Sequence, residues 1–309
     1  MIEEWWRVDG IVPLFKERGM TSAACVARCR GIFQTRRVGH SGTLDPNVDG
    51  VLPVCIGKAT KLVNYLMASG KIYQGEITLG FATETEDLDG AEIARQPLTR
   101  PFTTTEIVAA MEQLVGDIVQ IPPMYSAVKV KGKRLYEYAR AGEKVDRPKR
   151  LIHVDYFKQR QVATFDSQTG LQKIYFEVGC GKGTYVRTLA VDLGKILGVP
   201  AVMSDLTRLK SGGITVGQTL TLDQLQQAKD QDKLDQVLLP VATALRDLPA
   251  VAVTSDQWRI VKNGGFLALP EYQDKTKVTL TYHGKVRCVY QYDTQRQFFR
   301  PETMIDLSE

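Results

Sequence analysis

Apolar residues recur at helical spacing in only a few stretches of the chain. Val26, Cys29, Ile32 and Phe33 do so behind Thr21 or Ser22, either of which can cap a helix. A second helix is predicted around residues 59–68. A third is predicted over 105–115, with Thr104 or Thr105 as its cap. Tyr185, Leu189, Leu193 and Ile196 mark a fourth, which follows a Gly-Lys-Gly-Thr turn and runs to about Leu197. Residues 71–80 read as a strand with Tyr73, Gly75, Ile77 and Leu79 on one face, and 174–180 read as another. Residues 38–57 carry Gly39, Gly42, Gly50, Gly57, Pro46 and Pro53, and read as a loop held by special backbone angles. Residues 120–150 are broken by proline and are basic. A polar helical stretch over 223–247 ends in Leu248-Pro249, and β-type runs follow at 277–282 and 286–292. A domain boundary is placed near Pro249. No internal repeat or low-complexity tract interrupts this order.

The 309 residues suit roughly two domains. A hydrophobic fraction of 43% with 24% charged residues excludes a disordered or fibrous chain. No apolar run is long enough to predict a membrane-spanning helix. The N-terminus begins acidic and lacks the residue order of a secretory signal. The five cysteines are scattered and odd in number, so no disulfide framework is expected and a cytoplasmic location is. Only three histidines are present, far apart, which argues against a His/Cys metal site. The net charge of +5 is mild, but its distribution is not. Nine Lys or Arg against three acidic residues fall between Ser126 and Arg150, and four Arg with no acid fall between Arg28 and Arg37. Two basic patches on a near-neutral body suit a polyanion, although a charge run can also be only a solvated face.

Gly181-Lys182-Gly183-Thr184 resembles a phosphate loop but fails its spacing, because Gly follows the lysine where a hydroxyl residue is required. No Gly-x-Ser-x-Gly elbow is present. What remains is the carboxylate of Asp45 in Arg37-Val-Gly-His-Ser-Gly-Thr-Leu-Asp45-Pro46. Pro46 forces Asp45 toward extended backbone angles, and Gly42 permits a bend that other residues resist. Asp45 is then either a nucleophile or base projecting from its loop, or a simple turn residue. Arg187 lies in the first turn of its helix, where the macrodipole disfavours a cation, so a nearby carboxylate or an escape to solvent is required. Tyr73 and Tyr185 are core tyrosines or stacking platforms. Together, a loop carboxylate, a pairing Arg and aromatics would make a site that handles a flipped base.

Four ordered blocks resemble the TruB family of tRNA pseudouridine synthases. They are Gly39-His-Ser-Gly-Thr-Leu-Asp45-Pro46-x-x-x-Gly50 running to Gly57-Lys-Ala-Thr-Lys61; Lys71-x-Tyr73 leading to Leu79-Gly80-x-x-Thr83-x-Thr85-x-Asp87-x-x-Gly90; Pro122-Pro-Met-Tyr125-Ser-Ala-Val-Lys129-x-x-Gly132-x-x-x-Tyr136-x-x-Ala139-Arg140; and Gly183-Thr-Tyr185-Val-Arg187-x-Leu-Ala-x-Asp192-Leu-Gly194, with Leu206-Thr-Arg208 after it. Three positions depart from the family pattern: Glu17 follows Lys16 where Pro is usual, Glu84 replaces Asp, and Gly181 replaces Ser.

The resemblance implies an α+β pseudouridine synthase fold, a mixed and largely antiparallel sheet with flanking helices. Residues 1–248 would form the catalytic domain and 249–309 a small β-domain of the PUA type that binds RNA. It implies isomerisation of a T-loop uridine, position 55 of tRNA, to pseudouridine without metal or organic cofactor. Asp45 would be the nucleophile or base and Arg187 its partner. Tyr73 would lie against the flipped base, Tyr185 and Leu206 would wall the pocket, and His40 would touch the displaced nucleotide. The expected partner is the T arm of tRNA, with no membrane, and a monomer is expected. Two other readings stay open: a related synthase acting on another RNA, and a tRNA-folding chaperone whose catalysis is incidental.

Overall fold

The computed structural model describes residues 9–307. Residues 1–8, which carry most of the acidic N-terminal stretch read above, lie outside the described residues. The first half of the chain runs β1 (Gly10–Lys16), α1 (Ser22–Ile32), β2 (Val38–His40), β3 (Asp49–Ile56), α2 (Val63–Ala68), β4 (Lys71–Leu79), β5 (Phe81–Thr83), β6 (Glu92–Arg95), α3 (Thr104–Glu112), β7 (Gly116–Gln120), β8 (Lys129–Val130), β9 (Lys133–Arg134) and α4 (Leu135–Arg140). It continues through β10 (Arg150–Gln159), β11 (Thr164–Asp166), β12 (Leu171–Cys180), α5 (Val186–Leu197), β13 (Ala201–Ser211), β14 (Ile214–Thr215) and α6 (Leu222–Asp230). The last part holds β15 (Ala250–Ala252), α7 (Ser255–Val261), β16 (Lys277–Tyr282), β17 (Lys285–Asp293) and β18 (Phe298–Met304).

The main sheet orders its strands β1-β3-β13-β4-β12-β10-β7, with β2, β14 and β11 alongside. Its ladders are antiparallel except for a short parallel contact between β13 and β3. The sheet face carrying Tyr73, Ile77 and Leu79 packs with Cys29 of α1, Met111 of α3, Leu189 and Leu193 of α5, and Leu225 of α6 in one buried cluster. The four strands β15 to β18 form a second sheet whose own core includes Val251, Trp258, Leu280, Tyr290 and Phe299. That sheet is tied to the body by an apolar seam of Leu62, Leu245, Val289 and Ile305, and by Lys58 on Asp306 at 2.7 Å.

The structure corrects several sequence expectations. Only residues 41–48 of the 38–57 stretch are a loop, since β2 and β3 occupy its two ends. Pro53 sits inside β3 opposite Pro13 of β1; its polar edge faces the other way, where the Ser41 amide donates to its carbonyl and its missing N–H falls between the β2 pairing at residues 54–56 and the β13 pairing at 49–50. The third helix is capped by Thr103, through a reciprocal box with Glu106, rather than by Thr104 or Thr105. The polar stretch 223–247 is not one helix. It stops at Asp230, Asp232 takes a left-handed φ of 55°, and two short 3₁₀ turns follow around Pro240. The strand β13 was not anticipated.

All five cysteines are buried free thiols. Burial pushes Cys29, Cys55 and Cys288 up to about 12 and Cys180 up to about 11. No described helix is long and apolar enough to cross a membrane.

Gly50 fixes the spacing of the sheet. Its φ is +110°, and a Cβ there would stand 2.2 Å from the Arg208 carbonyl oxygen across the parallel contact. Backbone cannot yield as a side chain can, so Gly50→Ala is expected to cost about 3 kcal/mol of stability. Urea unfolding of both proteins checks this; a loss under about 1 kcal/mol would show that β3 and β13 can move apart freely.

Candidate active site

A cleft of about 700 Å³ opens where the 41–48 loop, β4, the 125–127 segment, β9, the start of α5 and β13 converge. Its lining includes His40, Asp45, Tyr73, Tyr185, Arg187 and Leu206, so the six residues singled out from sequence all meet there. They come from positions far apart in the chain.

The loop bearing Asp45 is held on both sides of that residue. On one side the Ser22 hydroxyl accepts from the Leu44 amide at 2.9 Å and donates to the Leu44 carbonyl at 3.1 Å. On the other side, the Pro46 carbonyl accepts from the Lys16 ammonium and from the Gly19 amide, both at 2.9 Å. Lys16 is fully buried, and its other donors reach the Glu17 and Met20 carbonyls. The carboxylate between these anchors therefore has little room to wander.

Arg187 is the partner of that carboxylate. Its Nε lies 3.1 Å from Asp45 Oδ2, and its Nη2 lies 3.3 Å from Asp45 Oδ1, a fork-on-carboxylate contact. The same guanidinium donates to the Thr85 carbonyl at 2.9 Å and the Tyr125 carbonyl at 3.0 Å, and approaches Asp87 Oδ2 at 3.4 Å. The Arg187 side chain is only 6% exposed, whereas the Asp45 side chain is 37% exposed toward the cleft. A first-turn cation is thus compensated by two carboxylates and two carbonyls rather than by solvent. Burial pushes the Asp45 carboxyl above its ordinary range, and Arg187 pulls it back only in part. Asp87 is oriented by the Thr85 hydroxyl at 2.5 Å and by the Asp89 amide at 3.0 Å. Between Thr85 and Asp87, Glu86 adopts a φ of 66°, rare outside glycine, and accepts from the Thr188 hydroxyl at 2.7 Å.

Tyr185 is the residue that precedes α5. The Gln120 side chain grips its backbone from both sides, donating to the Tyr185 carbonyl at 3.1 Å and accepting from its amide at 2.8 Å. Tyr73 is buried on β4, and burial raises its phenol above the usual value while Arg208 counteracts the rise. His40 ends β2 with its Nδ1 buried and unpaired; burial, then Arg208, lowers its pKa, so the ring is neutral at pH 7.

Sequence reasoning placed Lys71, Asp87, Tyr125 and Arg208 in family-like motifs without giving them a role, and did not name Gln120. Lys71 lines the cleft floor, donates to the carbonyls of Met67 and Ser69 at 3.0 and 3.2 Å, and is pushed down to about 8 by burial and by Arg208. No cluster of three or more His, Cys, Asp or Glu able to hold a metal occurs among the described residues. The titratable groups lining the cleft are the Asp45 carboxylate, the His40 ring, the phenols of Tyr73, Tyr125, Tyr136 and Tyr185, and cations that include Lys71, Arg187 and Arg208.

Residues 30–186 match the TruB family pseudouridylate synthase N-terminal domain, and 187–246 match the tRNA pseudouridylate synthase B C-terminal domain. The tRNA pseudouridine synthase B of Ligilactobacillus salivarius is 59% identical over 302 residues, covering 97% of this chain and all of that one. Its counterpart in Lactiplantibacillus plantarum is 58% identical, covering 96% and 98%. Among solved structures, an H/ACA ribonucleoprotein bound to a substrate RNA containing 2′-deoxyuridine has a chain that superposes with a TM-score of 0.70 at 23% identity, covering 99% of this chain and 87% of that one. A chain of a Cbf5–Nop10–Gar1 complex gives 0.68 at 24% identity, covering 100% and 86%. These two likenesses establish the pseudouridine synthase fold, and with the family match spanning the Asp45 loop and the Arg187 helix start, the chain belongs to the TruB family of pseudouridylate synthases.

Proposed function

We propose that this protein isomerises the T-loop uridine at position 55 of tRNA to pseudouridine, with Asp45 as the nucleophile or base. The observation that carries the proposal is the Asp45 carboxylate, forked onto the buried Arg187 at the mouth of a cleft walled by Tyr73, Tyr185 and Leu206. The relatives named above, which are tRNA pseudouridine synthases, support tRNA as the substrate.

The chemistry needs no redox change. The N1–C1′ bond breaks and the uracil leaves with the electron pair. The base turns, C5 bonds to C1′, C5 gives up its proton and N1 gains one. A base must first leave its stack to reach this site, and a cleft with aromatic walls can receive it. Asp45, held between Leu44 and Pro46, addresses the ribose or its protons. Tyr73 lies where a base in the cleft would stack. Residues 1–248 are read as the catalytic domain, and 249–309, with their own apolar core, as an RNA-binding module. Five buried free thiols suit a reducing cytoplasm.

The basic 126–150 segment supplies the polyanion surface. Lys131 and Gly132 both take positive φ and make the tight turn between β8 and β9, which presents Lys129 and Lys131 to solvent. Lys133 is instead tied to both oxygens of Glu143 at 2.9 Å.

Asp45→Asn should lower uridine conversion on a T-stem RNA by at least about 10²-fold while filter-binding affinity stays nearly unchanged. Conversion within about tenfold of wild type would make Asp45 a turn residue. Because the ionised carboxylate is required and its pKa is raised, the single-turnover rate should fall as pH drops through a midpoint above the ordinary 3.8. A rate flat down to that value would contradict the assignment. Replacing Lys129 and Lys131 by Ala should flatten the slope of log affinity against log salt by about 0.7 to 0.9 per lost contact, with base selectivity intact. An unchanged slope would leave these lysines as solvated loop residues.

A further inference from the structure

Arg208 stands between the two reactive elements of the cleft. On one side it pairs with Gly50 of β3, and on the other it lies directly opposite Tyr73 of β4 in the antiparallel register. It is only 1% exposed. Its Nε donates to the Val51 carbonyl at 2.7 Å, and its Nη2 donates to the Gly42 carbonyl at 3.1 Å. Gly42 belongs to the loop that carries Asp45 and has a φ of +115°. Among the described residues no carboxylate lies within ion-pair distance of Arg208, whereas Arg187 has two.

We infer that Arg208 is a positioning residue for the isomerisation: its fork pins the Asp45 loop through Gly42, and its unmatched charge acts on the facing Tyr73 phenol. The inference rests on the proposed reading of Asp45 and Tyr73. A buried cation without a counter-ion must be balanced by its surroundings. Its cationic neighbours yield first. Lys71 is pushed down to about 8, and His40 is lowered, each by burial first and then by Arg208. Lys16 is lowered as well, chiefly by burial. Arg208 carries the fixed charge of the set. The charged and titratable groups that act on the Tyr73 phenol are Arg208 from β13, Cys180 from β12 and Asp45 from the loop, while Lys71, two residues away on β4, lines the same cleft. Of these, Arg208 is the one that favours the phenolate most. The Tyr73 phenol can give its proton to N1, which must gain one, and the resulting phenolate can then take up the proton that C5 releases, with the nearby guanidinium steadying the charge in between.

The test uses full-length protein with all tyrosines replaced by 3,5-difluorotyrosine, which brings phenol ionisation into an accessible range. The Tyr73 fluorine resonance is identified by its loss in Tyr73→Phe. Its midpoint is read without RNA, so it holds or fails independently of Asp45→Asn. Arg208→Gln keeps a donor for Gly42 and removes the charge. It should raise the Tyr73 midpoint by about one pH unit or more and slow single-turnover conversion by about tenfold or more, with RNA affinity within about threefold. An unchanged midpoint overturns the electrostatic role. Arg208→Lys keeps the charge and loses the fork, and carries the test should the Gln variant not fold. It should hold the midpoint within about 0.3 pH units yet convert uridine more slowly than wild type. A wild-type rate in that variant overturns the pinning of the loop, and a midpoint shift as large as that expected of the Gln variant overturns the role of the charge.

Discussion

The architecture of the cleft depends on one buried guanidinium. Arg187 spends its donors on Asp45, Thr85, Tyr125 and Asp87, residues that belong to three chain segments distant from its own helix. A guanidinium removed from water has to find nearly all its partners inside the protein, and each partner found fixes a segment. The Asp45 loop, the bend at Glu86 and the Pro-broken segment before β8 are thereby brought to one point. Their relation to α5 is decided by the planar fork, which a lysine could not reproduce.

The sheet meets that requirement by letting β13 run very close to its neighbours. Gly50 lies against the Arg208 backbone on one side, and Gly75 against the Asp205 carbonyl on the other, where a Cβ would stand 2.2 Å away in each case. Register shifts in the β13–β4 ladder fall at these approaches, between Met203 and Asp205 and between Arg208 and Lys210. The result is that Leu206 and Arg208 both line the cleft beside Tyr73. Close backbone contact here trades side-chain packing for position.

Much of this was legible in the sequence where the signal is local. The strand over 71–79, the helix after Tyr185 and the cap at Thr21 follow from periodicity and capping chemistry within one turn or one pleat. The Asp45 loop announced itself through Gly42 and Pro46, and the placing of Arg187 against a helix dipole called for either a carboxylate or an escape to solvent. β13 did not read as a strand, because Ser204, Asp205, Thr207 and Lys210 interrupt its apolar run and their partners are set by tertiary neighbours. The Asp205 carboxylate, for instance, is held by Arg18 at 2.6 Å. Pro53 concealed β3 for a related reason: its tolerance depends on which ladder lies beside it, which no single strand can report. Asp87 appeared only as a motif member with no role, and Gln120 was missed, because a carboxylate or amide at a loop or strand end has no pattern of its own until the chain closes on it.

The five cysteines give the chain an internal reporter. Each thiol is enclosed, and burial holds the four most strongly shifted ones far from the thiolate that reagents attack. Cys25 and Cys29 lie on the buried face of α1, Cys55 in β3, Cys180 at the end of β12 beside the cleft, and Cys288 in the terminal sheet. A thiol-specific reagent therefore registers when each of these regions opens, so the order of modification records local unfolding across the main sheet and the terminal sheet separately.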